Sequence, residues 1–134
     1  MAAGCIWAVA GGKGGAGRTL LAANLAIQMA RSDRNVILVD LDLECGQLHG
    51  ALGFTRVRKG LPAFQAGDAR LTEAAVDTSI PHLKLLGGLQ APRPPDETAI
   101  LLARVREGLA ELEGDVVIID CGSGRSRTTS RLPI

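Results

Sequence analysis

The sequence predicts an α/β domain with a mainly parallel sheet, and three observations carry that prediction. An apolar run, Cys5 to Ala10, leads into the glycine-rich stretch Gly11 to Gly17, and a helical pattern of small apolar residues follows from Thr19. Two further apolar runs, Val36-Ile37-Leu38-Val39-Asp40 and Val116-Val117-Ile118-Ile119-Asp120, each close on an aspartate. Short β-branched runs of this kind, separated by helical patterns, read as strands buried on both faces between layers of helices. Acids at the carboxyl ends of such strands face the crevice in which open α/β sheets bind ligands.

Taken in order, Cys5 to Ala10 is the first strand, expected to be buried on both faces. Leu20, Leu21, Ala23, Ala26, Ile27 and Ala30 follow helical spacing, and small residues let that helix pack closely on the sheet. Arg31-Ser32-Asp33-Arg34-Asn35 ends it, with cations near the negative pole and Asn35 as the turn former. After the strand Val36 to Asp40, the stretch Glu44 to Arg58 reads as loops around a short helical piece, with His49 as a surface or packing histidine and Arg56, Arg58 and Lys59 as a solvated basic face. Leu61 to Ala66 and Leu71 to Val76 are brief amphipathic segments broken by Gly67-Asp68, and Leu83 to Leu86 is a short strand closed by Gly87-Gly88. Pro92-Arg93-Pro94-Pro95 is a stiff connector. Asp96 or Thr98 is expected to cap the next helix, whose apolar face is Leu101, Leu102, Val105, Leu109 and Leu112 and which Gly114 ends. Gly108 weakens it by up to about 1 kcal/mol. Val116 to Asp120 is the last strand, and residues 123–134 read as a disordered tail behind a domain of residues 1–122.

Composition narrows the chemistry. At 134 residues there is room for one domain, and a net charge of +1 gives no global attraction to nucleic acid or anionic lipid. Aromatic residues make up 2% of the chain, too few for base-stacking platforms, so no nucleic-acid site is expected. Cys5, Cys45 and Cys121 are odd in number and lack C-x-x-C spacing, which argues against disulfides and zinc and for a reducing cytoplasm. The apolar start has no basic lead of the signal-peptide kind, and no run reaches the length of a membrane span.

The glycine stretch carries the functional signal. Gly12, Gly14, Gly15 and Gly17 let backbone N–H groups turn inward around an anion, and the helix behind them adds unpaired amides and the positive end of its dipole. A phosphate chain is the simplest ligand for such a loop. Lys13 and Arg18 supply positive charge, and Thr19 sits where a P-loop places the hydroxyl that ligates magnesium. The same residues also satisfy G-x-G-x-x-G, with Asp40 where a ribose-binding acid is expected in a Rossmann-type NAD(P)-binding protein. The P-loop reading uses more of the residues, because it also employs Lys13, Arg18, Thr19 and the second acid, Asp120.

With these motifs placed, the chain resembles the MinD/ParA family of deviant P-loop ATPases, especially its flagellar-number and pilus-assembly branches. Gly12-Lys13-Gly14-Gly15-Ala16-Gly17-Arg18-Thr19 is similar to the family's K-G-G-x-G-K-[ST] loop with its early signature lysine, Asp40-Leu41-Asp42 to its D-x-D, and Asp120-Cys121-Gly122-Ser123-Gly124 to its D-x-x-x-G. The resemblance implies a three-layer P-loop NTPase fold, incomplete here at its C-terminal side, with the strands Cys5 to Ala10 and Val116 to Asp120 adjacent. It implies a switch in cell organisation (flagellum or pilus placement, division or partitioning) that binds ATP/ADP with Mg2+, forms an ATP-dependent homodimer and hydrolyses slowly under a regulatory partner's control. Gly12 to Leu20 would hold the nucleotide; Lys13 would act on the partner's phosphates and Asp42 would orient the attacking water. Thr19 would ligate magnesium directly and Asp120 through a water.

Arg18 departs from the pattern, standing where the family has its second lysine. An arginine fork is bulkier than an ammonium and needs fixed hydrogen-bond directions. An alternative is therefore a truncated or degenerate nucleotide-binding interaction module without turnover.

Overall fold

The structure, a computed structural model, describes residues 4–10, 16–42, 46–54, 60–88 and 93–121. In chain order its elements are β1 (Cys5–Val9), α1 (Ala16–Arg31), β2 (Val36–Asp40), α2 (Leu48–Ala51), α3 (Leu61–Ala66), α4 (Leu71–Ala74), β3 (Val76–Asp77), β4 (Leu83–Leu86), α5 (Pro95–Leu109) and β5 (Val116–Asp120). They build one five-stranded sheet in the order β1-β5-β2-β4-β3, parallel except for β3. The last strand in sequence is thus central, beside β1 on one side and β2 on the other, and the expected adjacency of the first and last strands holds.

Side-chain alternation splits the core into two layers. Val36 and Leu38 of β2 and Val116 and Ile118 of β5 pack against the small residues Ala22, Ala23, Ala26 and Ala30 of α1 and Leu48 of α2. Ile37, Val39, Val117 and Ile119 point the other way, onto α3, α4 and α5 through Leu61, Phe64, Leu71, Leu101, Val105 and Leu109. Both faces of β2 and β5 are therefore covered, and every residue of the two strands is buried. Gly60 and Gly67, at φ 86° and 83°, bracket α3 in the left-handed region that favours glycine. The Arg104 guanidinium of α5 lies 4.6 Å from the Phe64 ring centroid and donates to the Phe64 carbonyl at 2.8 Å, tying α5 to the end of α3.

Several sequence expectations change. β1 is an edge strand rather than one buried on both faces: among the described residues only β5 pairs with it, and Ile6 and Trp7 are 42% and 44% exposed. Apolar composition marks a strand without giving its place in the sheet. The left-handed residue after α1 is Asp33, φ 60°, and not Asn35, whose backbone N–H and carbonyl instead join the start of β2 to that of β5. Neither Asp96 nor Thr98 caps α5; the helix starts at Pro95, whose missing N–H and fixed φ suit a first helical position. Thr98 bonds back to the Pro94 carbonyl at 3.2 Å. The helix stops at Leu109, before Gly114, which is placed by contact: a Cβ there would lie 3.2 Å from the Asn35 carbonyl oxygen. Gly108 has a packing reason, since a Cβ would meet Leu71 side-chain atoms at 2.8 Å and 2.9 Å. Among the described residues no helix is long and apolar enough to cross a membrane, and Cys5 and Cys121 are free thiols. Cys45, the basic cluster Arg56, Arg58 and Lys59, and residues 122–134 lie outside the described residues.

Candidate functional site

The carboxyl ends of β2 and β5 bring Asp40 and Asp120 side by side as register partners, 2% and 1% exposed. Burying a carboxylate is costly unless it is paired or hydrogen-bonded, so what meets each one decides its chemistry. Asp120 meets the first turn of α1. Arg18 Nε donates to its Oδ1 at 3.0 Å and Thr19 Oγ1 donates to its Oδ2 at 3.0 Å. The Arg18 and Asp120 side chains are 6% and 2% exposed, so the ion pair is largely shielded from water.

Asp40 is held differently. Its Oδ1 accepts the Asp42 N–H at 3.1 Å and its Oδ2 accepts the Leu48 N–H at 3.2 Å. Burial pushes its pKa up to about 7; the two backbone hydrogen bonds oppose the shift, and the charges of Asp120 and Asp42 add to it. A Cβ on Gly87 would lie 3.4 Å from the Asp40 Cβ, so the backbone of the loop after β4 covers this acid. Asp40 therefore fixes the turn that carries Asp42 and the start of α2. With both oxygens accepting backbone amides inside the fold, it is not displayed to a ribose, which removes the acid that the dinucleotide alternative required. Asp42, two residues on, is half-buried at the rim.

Of the residues read from sequence as nucleotide-binding, Ala16, Gly17, Arg18, Thr19 and Leu20 form the start of α1. Gly12, Lys13, Gly14 and Gly15 lie outside the described residues. A Cβ at Gly17 would meet nothing within 4 Å among the described residues. The Leu20 side chain is 56% exposed. The pairing of Arg18 with Asp120 was not read from the sequence. An arginine one turn into a helix, facing an acid at the end of an adjacent strand, was the available signal, but the sheet order had to be known to use it.

A hydroxyl beside a carboxylate is a hard-oxygen donor set of the kind magnesium takes. Among the described residues there is no group of three or more His, Cys, Asp or Glu that could hold a metal. A cation here would complete its shell from water or phosphate, which is how magnesium is held in phosphate-transfer sites. His49, read from sequence as a surface or packing histidine, is a packing residue of α2, 8% exposed, with Nδ1 buried and without a hydrogen-bond partner in the described structure. A groove of about 960 Å³ lies at the opposite, amino ends of the strands, lined by Asn35, Asp77, Thr78, His82, Lys84 and Asp115 among others. Its polar groups are largely spent on one another or on backbone.

The chain is similar to known proteins over most of its length. The septum site-determining protein MinD of Bacillus subtilis is 32% identical over 120 residues, covering 87% of this chain and 44% of that protein. The crystal structure of the cell division ATPase MinD of Pyrococcus furiosus superposes with a TM-score of 0.76 at 27% identity, over 90% of this chain and 51% of that one. The septum site-determining protein MinD of Pyrococcus horikoshii, solved in complex with Mg-ADP, superposes with a TM-score of 0.71 at 30% identity, over 93% and 52%. The chain thus spans about half the length of these relatives, and its fold is that of the P-loop NTPase domain they share. Residues 7–107 match the profile of the CobQ/CobB/MinD/ParA nucleotide binding domain, and the chain belongs to that family.

Proposed function

We propose that this chain is the phosphate- and magnesium-binding part of a MinD/ParA-type ATPase switch, acting in division, partitioning or the placement of a flagellum or pilus. The observation that carries the reading is the contact of Thr19 Oγ1 and Asp120 Oδ2 at 3.0 Å, directly behind the glycine stretch and at the N-terminus of a sixteen-residue helix. Backbone amides from Gly12 to Leu20 would cradle the phosphates of ATP or ADP, helped by the positive end of the α1 dipole. Magnesium would supply charge neutralisation at the outer phosphates, with Thr19 as a direct ligand and Asp120 holding it through a water. Asp42 at the rim would orient the attacking water, and Lys13 would reach a partner subunit's phosphates in an ATP-dependent homodimer controlled by a regulatory protein. Such a division of labour suits phosphoryl transfer, where positioning and charge carry most of the catalysis. Residues 1–122 form the unit that does this, with 123–134 as a tail.

A second reading, nucleotide binding without turnover, is favoured by one feature: Arg18 is turned onto Asp120. Titration of the chain with ADP, ATP and NADH tests the class of ligand. Binding of ADP or ATP with NADH much weaker is expected; NADH binding tighter than ADP would reject the reading.

A further inference from the structure

Asp120 already has a cation. The Arg18 guanidinium sits against Oδ1 at 3.0 Å while the Thr19 hydroxyl takes Oδ2 at the same distance, and both partners of the ion pair are nearly excluded from water. Out of water a neighbouring charge acts at much lower effective dielectric, so a second cation brought to this carboxylate would feel the guanidinium strongly. Arginine also keeps its charge at any pH the fold survives, and its planar fork is held rigidly once one edge is engaged. We infer that Arg18 is a resident counter-cation of Asp120, competing with divalent metal for this carboxylate and making nucleotide diphosphate binding by this chain nearly independent of magnesium. The phosphates would be met by the glycine-loop amides, the α1 dipole and a site already neutral at its acid, so a metal adds little on entry. A lysine at position 18 keeps the charge but has no Nε–H to give to Asp120 at this geometry, so it holds the acid less firmly against a metal. The part of this inference that concerns nucleotide rests on the function proposed above; the part that concerns metal does not.

The test has two arms, both on the full chain. In the first, Mn2+ alone is titrated and the free ion followed by electron paramagnetic resonance for the wild-type chain, Arg18→Lys, Arg18→Gln and Arg18→Gln/Asp120→Asn. Mn2+ affinity is expected to rise about tenfold or more in Arg18→Gln, which loses the competing charge, and by a smaller factor in Arg18→Lys, which loses the Nε hydrogen bond but keeps the charge, and the added Asp120→Asn is expected to abolish the gain. Equal affinity in wild type and Arg18→Lys, or a gain that survives Asp120→Asn, overturns the inference. Arg18→Gln removes the counter-charge from a buried carboxylate and can fail to fold, which circular dichroism reports; Arg18→Lys keeps the charge and carries the arm alone in that case. In the second arm ADP is titrated with and without Mg2+. Magnesium is expected to change wild-type affinity by less than about threefold and Arg18→Lys affinity by about tenfold. A tenfold magnesium effect in the wild-type chain overturns the inference. ADP binding to neither protein under either condition would reject the proposed function instead, leaving the Mn2+ arm to decide the role of Arg18.

Discussion

At the carboxyl ends of β2 and β5, Asp40 and Asp120 are buried to within 2% of full exclusion, whereas the polar residues at the amino ends of the same strands, Asn35 and Asp115, are exposed. The amino-end groups are occupied with the chain itself. Asn35 accepts the Asp115 and Val116 N–H groups at 2.8 Å and 3.2 Å through its carbonyl and donates its own N–H to Asp115 Oδ2 at 2.8 Å, while His82 Nδ1 lies 3.2 Å from Asn35 Oδ1. These contacts fasten one strand to the next and close a loop. The carboxyl-end acids instead sit where charge is hard to keep, one matched by a guanidinium and a hydroxyl and the other by two amides. A large groove opens at the first end and the chemistry gathers at the second.

The sharpest separation of the two ends is expected from single carboxylate removals. Asp120→Ala removes the buried partner of the Arg18 guanidinium and the acceptor of the Thr19 hydroxyl, a loss on the order of 3–5 kcal/mol. Asp115→Ala removes an exposed acceptor of one backbone N–H and costs about 1 kcal/mol. Urea denaturation of both variants measures the difference, and equal losses would erase the distinction between the ends.

Asp40 gives the site end a pH signature. Its pKa is about 7 in the fold against 3.8 in the unfolded chain, so between those values the folded state keeps a proton that the unfolded state has released. Stability contributed by this group is therefore full below pH 3.8 and is lost as pH rises through about 7, by on the order of a few kcal/mol. Asp40→Asn should flatten the curve over that window. A wild-type minus variant difference that stays constant from pH 4 to about 8 would show that burial does not hold the proton.

A backbone change at the amino ends should cost stability and spare the site. A Cβ on Gly4 would stand 2.8 Å from the Asp115 carbonyl oxygen, and the Gly4 N–H donates to the Gly114 carbonyl at 3.1 Å. Gly4→Ala must push β1 away from β5 there, costing about 1–3 kcal/mol. ADP affinity, measured where the variant is folded, is expected to be unchanged; a parallel loss would mean that the two ends are coupled through β1. Smallest of all should be Lys84→Gln, which removes an exposed ion pair with Asp77 at 4.0 Å at the rim of the amino-end groove and costs about 0.5 kcal/mol or less.

Much of this layout is legible in the sequence because local signals agree. Val36–Asp40, Leu83–Leu86 and Val116–Asp120 are continuous apolar runs between turn formers, and each is a strand over those same residues. Thr19 and Asp40 could be named from their distance to the glycine stretch, and Asp120 from the apolar run it closes. What was not legible depends on neighbours remote in sequence. β3 is two residues long and exists through its antiparallel pairing with β4, so no periodicity announces it. β1 reads like β5, yet one lies at the edge and the other at the centre, a difference set by sheet order. Arg18 and Asp120 are 102 positions apart, and only the placement of β5 beside β1 brings the acid to the first turn of α1. From sequence Arg18 could be assigned to phosphate; its position against Asp120 gives it a second task.

The most direct test of the account is to map where ADP binds by amide chemical-shift changes on the labelled chain. The predicted pattern is movement of Gly17, Arg18, Thr19 and Leu20 together with Asp42 and Cys121, the residues around the carboxyl ends of β2 and β5. Movement of Asp77, Thr78, His82 and Lys84 around the amino-end groove, with the first turn of α1 unmoved, would contradict it.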